Sequence, residues 1–553
     1  MVEDRMSDMK LPRRTVLKSG SALAATAVLP AALGSTSASA ATSNTLVVAA
    51  PATPQSLDSN FDVSLGTFEA VAALYDNLLE FAKIPDPKVP GALREDIADH
   101  PDKPARLAVQ GKLAESFELD PAGRFIRFQL RQGVKSNWGN ELTADDVKWT
   151  WDRKFGLQAI GAFYLSTLGL EKPEGVKVEG KYTVSINLDN PNPLLAKLQP
   201  NLYAPIYDSK KAKEVATADD PWARKFIENN SAGFGPYRLD QLQRGQQAVF
   251  KARPDYYLGK PAIDTVIFRE VPTSATRASL LQGGAVDIAQ YLQPLEIVKL
   301  RGQKGVTIDS VPASFMIWIE LNSKIAPFDN VKVRQAMNFA FPQEQVLRTV
   351  FQGIAEPLVG AMPNIYAGYT DKFWKFKYDP EMAKALLKEA GMPAGFKTSL
   401  SYNAGDPVQE PIAILYQTAL RNIGVELELK KVPAATFYNA VSERKQPMIF
   451  YVDSPWCPDV GYSMTLYFNS KSFVNYSNYQ NDEVDRLLRD TARTNDQAAR
   501  VEMMTKAQEI VMSEAPWVFI GFPGYHFAHK SNLKGFTYYT SNNIRFQDFS
   551  RDA

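Results

Sequence analysis

One cysteine, Cys457, is all that the 553 residues contain. No internal disulfide can form and no cysteine-based zinc cluster can be assembled, so the fold must rest on packed apolar cores. A chain of this length outgrows a single core, and two or three lobes are expected. The composition, 45% hydrophobic and 22% charged, is that of a globular protein. Lys+Arg 62 against Asp+Glu 61 leaves a formal charge of +1. Without a basic excess to neutralise a run of phosphates, nucleic acid is excluded as a partner.

The N-terminus reads Leu11-Pro12-Arg13-Arg14-Thr15-Val16-Leu17-Lys18, then a mildly apolar stretch over 19–33, then Ala38-Ser39-Ala40. This is the pattern of a signal peptide, with small residues where signal peptidase accepts only small side chains. The adjacent Arg13 and Arg14 and the Ala/Gly-rich core resemble a twin-arginine signal; a Sec signal with a chance Arg pair is the alternative. Cleavage after Ala40 is expected, giving a mature chain from Ala41. No later stretch approaches the ~20 continuous apolar residues that a spanning helix needs. No cysteine near the cleavage site offers an attachment point for lipid. A free, monomeric protein of the periplasm is the expectation.

Strand and helix signals alternate along the mature chain. Runs such as Thr45 to Ala50, Phe125 to Leu130, Tyr182 to Leu188 and Thr265 to Phe268 have the alternating or wholly apolar character of strands. Helices are predicted over 68–81, 331–341, 342–351 and 482–512. Thr143, followed three residues later by Asp146, makes a capping-box start, and Asp379-Pro380 with Gly391 brackets another helix. Residues 85–104, rich in Pro, Asp and Lys, suggest a long surface loop. The class is mixed α/β.

Several segments, in order, carry a resemblance: Leu113-Ala114-Glu115-Ser116-Phe117, Phe128 to Val134, Leu142 to Val147, Gly235-Pro236-Tyr237-Arg238-Leu239, Leu281 to Ile288, Pro327 to Ala336, Tyr378 to Leu387, and Trp456-Cys457-Pro458-Asp459. Together they resemble extracellular solute-binding protein family 5, the oligopeptide-, dipeptide- and nickel-binding receptors of ABC importers. The resemblance implies a two-lobed periplasmic binding protein fold (class II, large cluster C type) with an extra inserted lobe. Lobe I would comprise 41–78, 201–310 and 520–553, the inserted lobe II 79–200, and lobe III 311–519. It also implies a non-catalytic role, delivery of a peptide or peptide-like solute to a membrane permease and ATPase complex, with no cofactor.

By the same resemblance Asp459 matches the carboxylate that holds a peptide α-ammonium, since a buried ammonium needs a charged partner. Its other role is to cap the segment that follows. Relatives usually continue from that Asp with Asn, Glu or Gly and then Pro, whereas Val460-Gly461-Tyr462 follows here. Trp456 and its neighbour Cys457 share the same loop. Phe315, Met316 and Trp318 lie on a strand expected to lend backbone groups to an extended peptide. Trp138 is a further contact candidate. Gly235-Pro236-Tyr237, Gly283, Gly284, Asp287 and Arg334 read as architecture rather than ligand contacts.

The chemistry of an enzyme is missing. His100, His526 and His529 are the only histidines and bring no acidic or cysteine companion in zinc-motif spacing, so no metal site is expected. There is no nucleophile elbow, Walker loop or dinucleotide fingerprint. Two other readings stay open: the same fold holding an oligosaccharide, opine or metal complex, and a secreted hydrolase using paired carboxylates.

Overall fold

Three β-sheets organise the chain in the computed structural model, which describes residues 44–551 apart from 63, 65, 104, 105 and 158. The export segment, with the cleavage site after Ala40, lies outside the described residues. The first sheet has seven strands in the order Tyr237–Gln243, Gln247–Ala252, Thr265–Glu270, Thr45–Ala50, Ile288–Ala289, Tyr525–Lys530, Val306–Val311. Thr45–Ala50 runs parallel to both its neighbours, and this sheet therefore draws on both ends of the chain. The second, four-stranded sheet pairs Ala114–Leu119, Phe125–Leu130, Thr183–Asn187 and Val176–Gly180 in antiparallel ladders. The third has six strands in the order Glu356–Pro357, Trp517–Phe522, Met316–Leu321, Met448–Asp453, Lys397–Asn403, Glu426–Val432.

The chain crosses between the seven- and six-stranded sheets twice, at 312–315 and at 523–524. The second crossing falls three residues beyond the 519/520 boundary expected from sequence, because Trp517–Phe522 is one wholly buried strand that stays paired with Met316–Leu321. Near the first crossing Ser314 is tied down: its N–H donates to the Tyr538 hydroxyl, its Oγ meets that of Ser454, and Asn542 Nδ2 donates to both hydroxyls.

Local chemistry explains the elements that were legible. Asp379 caps Pro380–Glu389 through the N–H of Met382 at 2.9 Å, and Gly391 ends that turn at a φ of 81° that side chains disfavour. Asp146 reaches back to the N–H of Thr143 at 2.8 Å at the start of Ala144–Leu157. Three expectations are corrected. The helix over 68–81 ends at Leu74, since Tyr75 to Asn77 turn away and Leu79–Phe81 is a strand paired with Val109–Gly111. Residues 482–512 form two helices, Asp482–Thr491 and Gln497–Glu514, with Asp496 capping the second. The 85–104 stretch carries a strand, Leu93–Glu95, held between Lys83–Pro85 and Thr537–Tyr538.

The residues read as architecture behave so. Arg334 donates to the carbonyls of Phe328 and Glu514, and Asp287 accepts from the N–H of Val47 while pairing with Lys530 and Arg551. His526 and His529, three apart on the strand Tyr525–Lys530, point to opposite faces and bond Ser310 and Asp309 respectively.

Candidate functional site

The strand Met448–Asp453 delivers a six-residue loop that ends at Asp459, and helix Val460–Phe468 follows. Asp459 is the N-cap of that helix: its backbone is extended and its carboxylate accepts the Tyr462 N–H at 3.1 Å. It is 5% exposed. Two cations reach it. Lys197 Nζ lies 2.7 Å from Oδ2, and Arg500 Nη2 donates to both oxygens at 2.7 and 2.9 Å. Burial by itself would raise this carboxyl; Lys197 and Arg500 outweigh it and hold it well below the usual carboxylate range. Arg500 is fixed in turn by the Thr491 carbonyl at 2.6 Å. The capping role expected for Asp459 is present, and its charge is neutralised by the protein's own side chains.

Trp456 packs against the 201–203 segment and helix Ile160–Leu168. Its carbonyl accepts from Asn201 Nδ2 at 2.7 Å, and its indole lies 4.2 Å from the Tyr203 ring, tilted by 34°. Phe163 of helix Ile160–Leu168 meets the indole edge-on at 5.1 Å, and Phe68 of helix Thr67–Leu74 meets Tyr203 at 5.6 Å. The Tyr203 phenol is pushed well above its ordinary range, first by burial and then by Asp453, Tyr438 and Asp62. Asp62 lies beside the seven-stranded sheet, whereas Asp453 and Tyr438 belong to the six-stranded unit. Charges from both units are therefore felt at the Tyr203 phenol. Asp453 is half-buried, and the loss of water raises its carboxyl to about 7 against the bond it accepts from the Ser454 N–H.

A cavity of about 490 Å³ opens beside this junction, lined by Phe163, Thr167 and Asn192 on one side and by Tyr462, Phe473 and Arg500 on the other.

The remaining sequence candidates divide sharply. Phe315 is half-buried at the first crossing. Cys457, Met316 and Trp318 are each 0% exposed and belong to the core instead of a solute-facing surface. Trp318 stacks on Trp517 at 4.2 Å and donates its indole N–H to Glu320 at 2.8 Å. Burial drives the Cys457 thiol up, which makes it a poor nucleophile. The strand Met316–Leu321 has Met448–Asp453 on one side and Trp517–Phe522 on the other, so its own ladder groups are taken and it has no edge to lend to a peptide. Trp138 is 47% exposed, but its neighbours are Lys211, 4.3 Å above the ring, Phe226 and the Ser231 carbonyl, none of them in the 453–459 loop.

Sequence reasoning missed Tyr203, Asp453, Lys197 and Arg500. Only Asp453 left a trace, as the acidic end of the buried run Met448 to Tyr451.

The model of the bacterial extracellular solute-binding proteins, family 5 Middle, matches residues 108–475. The dipeptide-binding protein of Escherichia coli (strain K12) is 28% identical over 530 residues, spanning 91% of this chain and 93% of its own. Among solved structures, the periplasmic binding protein DppA of Helicobacter pylori in complex with the peptide STSA superposes with a TM-score of 0.78 at 23% identity, covering 92% of this chain and 98% of that one. MoaA of A. tumefaciens R10 in complex with mannopinic acid superposes at 0.76 with 22% identity, covering 92% and 99%. The fold is thus the two-lobed periplasmic binding protein fold, and the family match covers well over half of the sequence. The chain belongs to family 5 of the bacterial extracellular solute-binding proteins.

Proposed function

We propose that this chain is the periplasmic substrate-binding component of an ABC importer, and that it takes a peptide or peptide-like solute into the crevice between its seven- and six-stranded units. The observation that carries the reading is the packing of the Tyr203 ring against the Trp456 indole at 4.2 Å, which brings aromatic faces from two units to one place beside a cavity lined from both sides. The crossings at 312–315 and 523–524 act as the hinge; closure about them buries the solute, and the closed shape is what the permease and its ATPase recognise. Of the residues that the sequence singles out, Trp456 and Phe315 are the proposed contacts.

The lobes follow the larger sheets: 41–78 with 201–311 and the C-terminal segment form the first, 79–200 the inserted one, and the distal lobe runs from Met316 to Phe522, since Val306–Val311 stays paired with Tyr525–Lys530. Export proceeds through the twin-arginine signal, with cleavage after Ala40. The relatives named for dipeptide binding, and the complex with STSA, support a peptide as cargo. The complex with mannopinic acid supports a second reading, in which the same crevice holds an opine.

Native mass spectrometry of protein purified from its own periplasm, followed by denaturation and identification of the released molecule, tests the reading. A mixture of short peptides is expected. A single opine or sugar mass would replace the peptide with the second reading.

A further inference from the structure

The cavity of about 490 Å³ takes none of its lining from the seven-stranded unit. Its walls are residues 163–194 of the inserted segment and 459–500 of the six-stranded unit, so it is a space outside the crevice in which the transported solute is placed. Phe163 stands between the two spaces, its ring 5.1 Å from that of Trp456 and 4.7 Å from that of Phe473, edge-on to both. The body of the cavity is apolar, with Leu194 and Leu466 beside these two phenyl rings. Phe473 is 45% exposed, so part of its ring is open to a partner, and rings pair with one another beyond the area they bury.

The polar end carries spare positive charge. Asp459 and Arg500 both line the cavity, and the buried group they form with Lys197 sets two cations against one carboxylate, a net charge of +1. Among the described residues neither Lys197 nor Arg500 has a second acid within ion-pair distance. Arg500 gives Nη1 to the Thr491 carbonyl and Nη2 to Asp459, which leaves its Nε–H uncommitted among those residues. Thr491 also lines the cavity; it is 1% exposed, and its hydroxyl has no partner. Gly461 keeps room beside this group, since a Cβ there would stand 2.9 Å from Thr491 Cγ2 and 3.2 Å from both Arg500 Nη2 and Asp459 Oδ1. A buried excess cation and an orphan O–H donor side by side are both costly, and one anionic acceptor satisfies the two together. Lys471 and Glu171, both exposed, add opposite charges to the lining and leave its sign unchanged.

We propose that this cavity is a second ligand site, one that takes a small aromatic carboxylate, with the ring against Phe163 and Phe473 and the carboxylate on the Thr491 hydroxyl beside Arg500. Its volume suits an acid of one or two rings. The site is independent of what the crevice holds, because its two walls belong to the inserted segment and the six-stranded unit alone. Binding is reversible and needs no covalent step: the ligand enters as an anion, accepts from Thr491 and balances the charge that Asp459 leaves over.

The test titrates the mature protein with phenylacetate, with its neutral isostere phenylacetamide and with acetate, by calorimetry and ligand-observed NMR, and repeats the titrations on Thr491→Val and Phe473→Ala. Phenylacetate is expected to bind about tenfold more tightly than either analogue, and each variant to lose about tenfold in its affinity. Thr491→Val keeps the shape of the side chain and Phe473 is exposed, so both variants are expected to fold; chemical denaturation checks this, and either one alone suffices for the test. Retention of short peptides, read in parallel by native mass spectrometry, is expected to be the same in the variants as in the wild type, which separates this site from the crevice. No binding of phenylacetate by the wild type, equal binding of phenylacetamide, or undiminished binding by a folded variant overturns the proposal and leaves the peptide reading standing.

Discussion

Lys197 and Asp459 meet at 2.7 Å across 262 residues of sequence, one from the inserted segment and the other at the head of a helix in the six-stranded unit. Both are almost wholly buried. The pair, with Arg500, is what an interface between lobes looks like when it is fastened by charge. Replacing one partner of such a group leaves an uncompensated charge and costs about 3–5 kcal/mol, whereas the intact group gives little net stability over an apolar substitute. Asp459→Ala, which strands both cations and removes a helix cap, is expected to destabilise the ligand-free protein by this amount. Equilibrium urea unfolding checks it; an unchanged midpoint would show that the charges are solvated.

Lys197→Met leaves Asp459 with Arg500 as a partner and an apolar side chain of similar length beside it. The expected result is a smaller loss of stability with a looser contact between the inserted segment and helix Val460–Phe468. Hydrogen exchange across that helix is the measurement, and faster exchange there with unchanged exchange in the seven-stranded sheet is the expected pattern.

Glu320 gives a pH dependence whose sign follows from its burial. It is 2% exposed on Met316–Leu321, and desolvation raises its carboxyl from 4.5 to about 8 despite the bond from Trp318. A folded-state value above the unfolded one means that its contribution is whole below about pH 4.5 and is lost as pH rises through about 8. Between 4.5 and 7 the loss amounts to about 3 kcal/mol. Glu320→Gln is expected to remove this slope, so thermal unfolding of the two proteins followed from pH 5 to 8 should diverge, the wild type falling relative to the variant.

Gly235 was read as a turn residue, and the structure adds a stricter requirement. A Cβ there would stand 2.4 Å from the Leu74 carbonyl carbon and 2.5 Å from the Tyr75 nitrogen, backbone atoms that cannot swing aside. Gly235→Ala is expected to cost about 1–3 kcal/mol or prevent accumulation of folded protein. Chemical denaturation of the variant against the wild type decides this, and a neutral result would mean that the helix Thr67–Leu74 shifts to make room.

Much of the fold was written in local pattern. Asp379-Pro380 with Gly391, and Thr143 with Asp146, name their helices because caps act over three or four residues. The site was less legible, since its parts are brought together by packing. Asp459 lies in the motif but is spent on Lys197 and Arg500, which no spacing in the sequence connects to it. Trp318 and Met316 read as surface candidates because an apolar strand looks the same whether one face or both are covered, and here both are. The helix expected over 68–81 overran its end at Leu74, since Asn77 is drawn off to the carbonyl of Gln199, a contact 122 residues away.

The seven-stranded sheet takes its first strand at Thr45–Ala50 and closes only with Tyr525–Lys530, which lies between Ile288–Ala289 and Val306–Val311. While the chain is being made, that sheet waits with a gap in it as the whole six-stranded unit emerges. A ribosome that stops short of residue 525 releases a product with two open β edges and no means of filling them. The order of synthesis thus sets a checkpoint: only a complete chain can finish its first lobe, and a truncated one carries a built-in aggregation hazard instead of a working half.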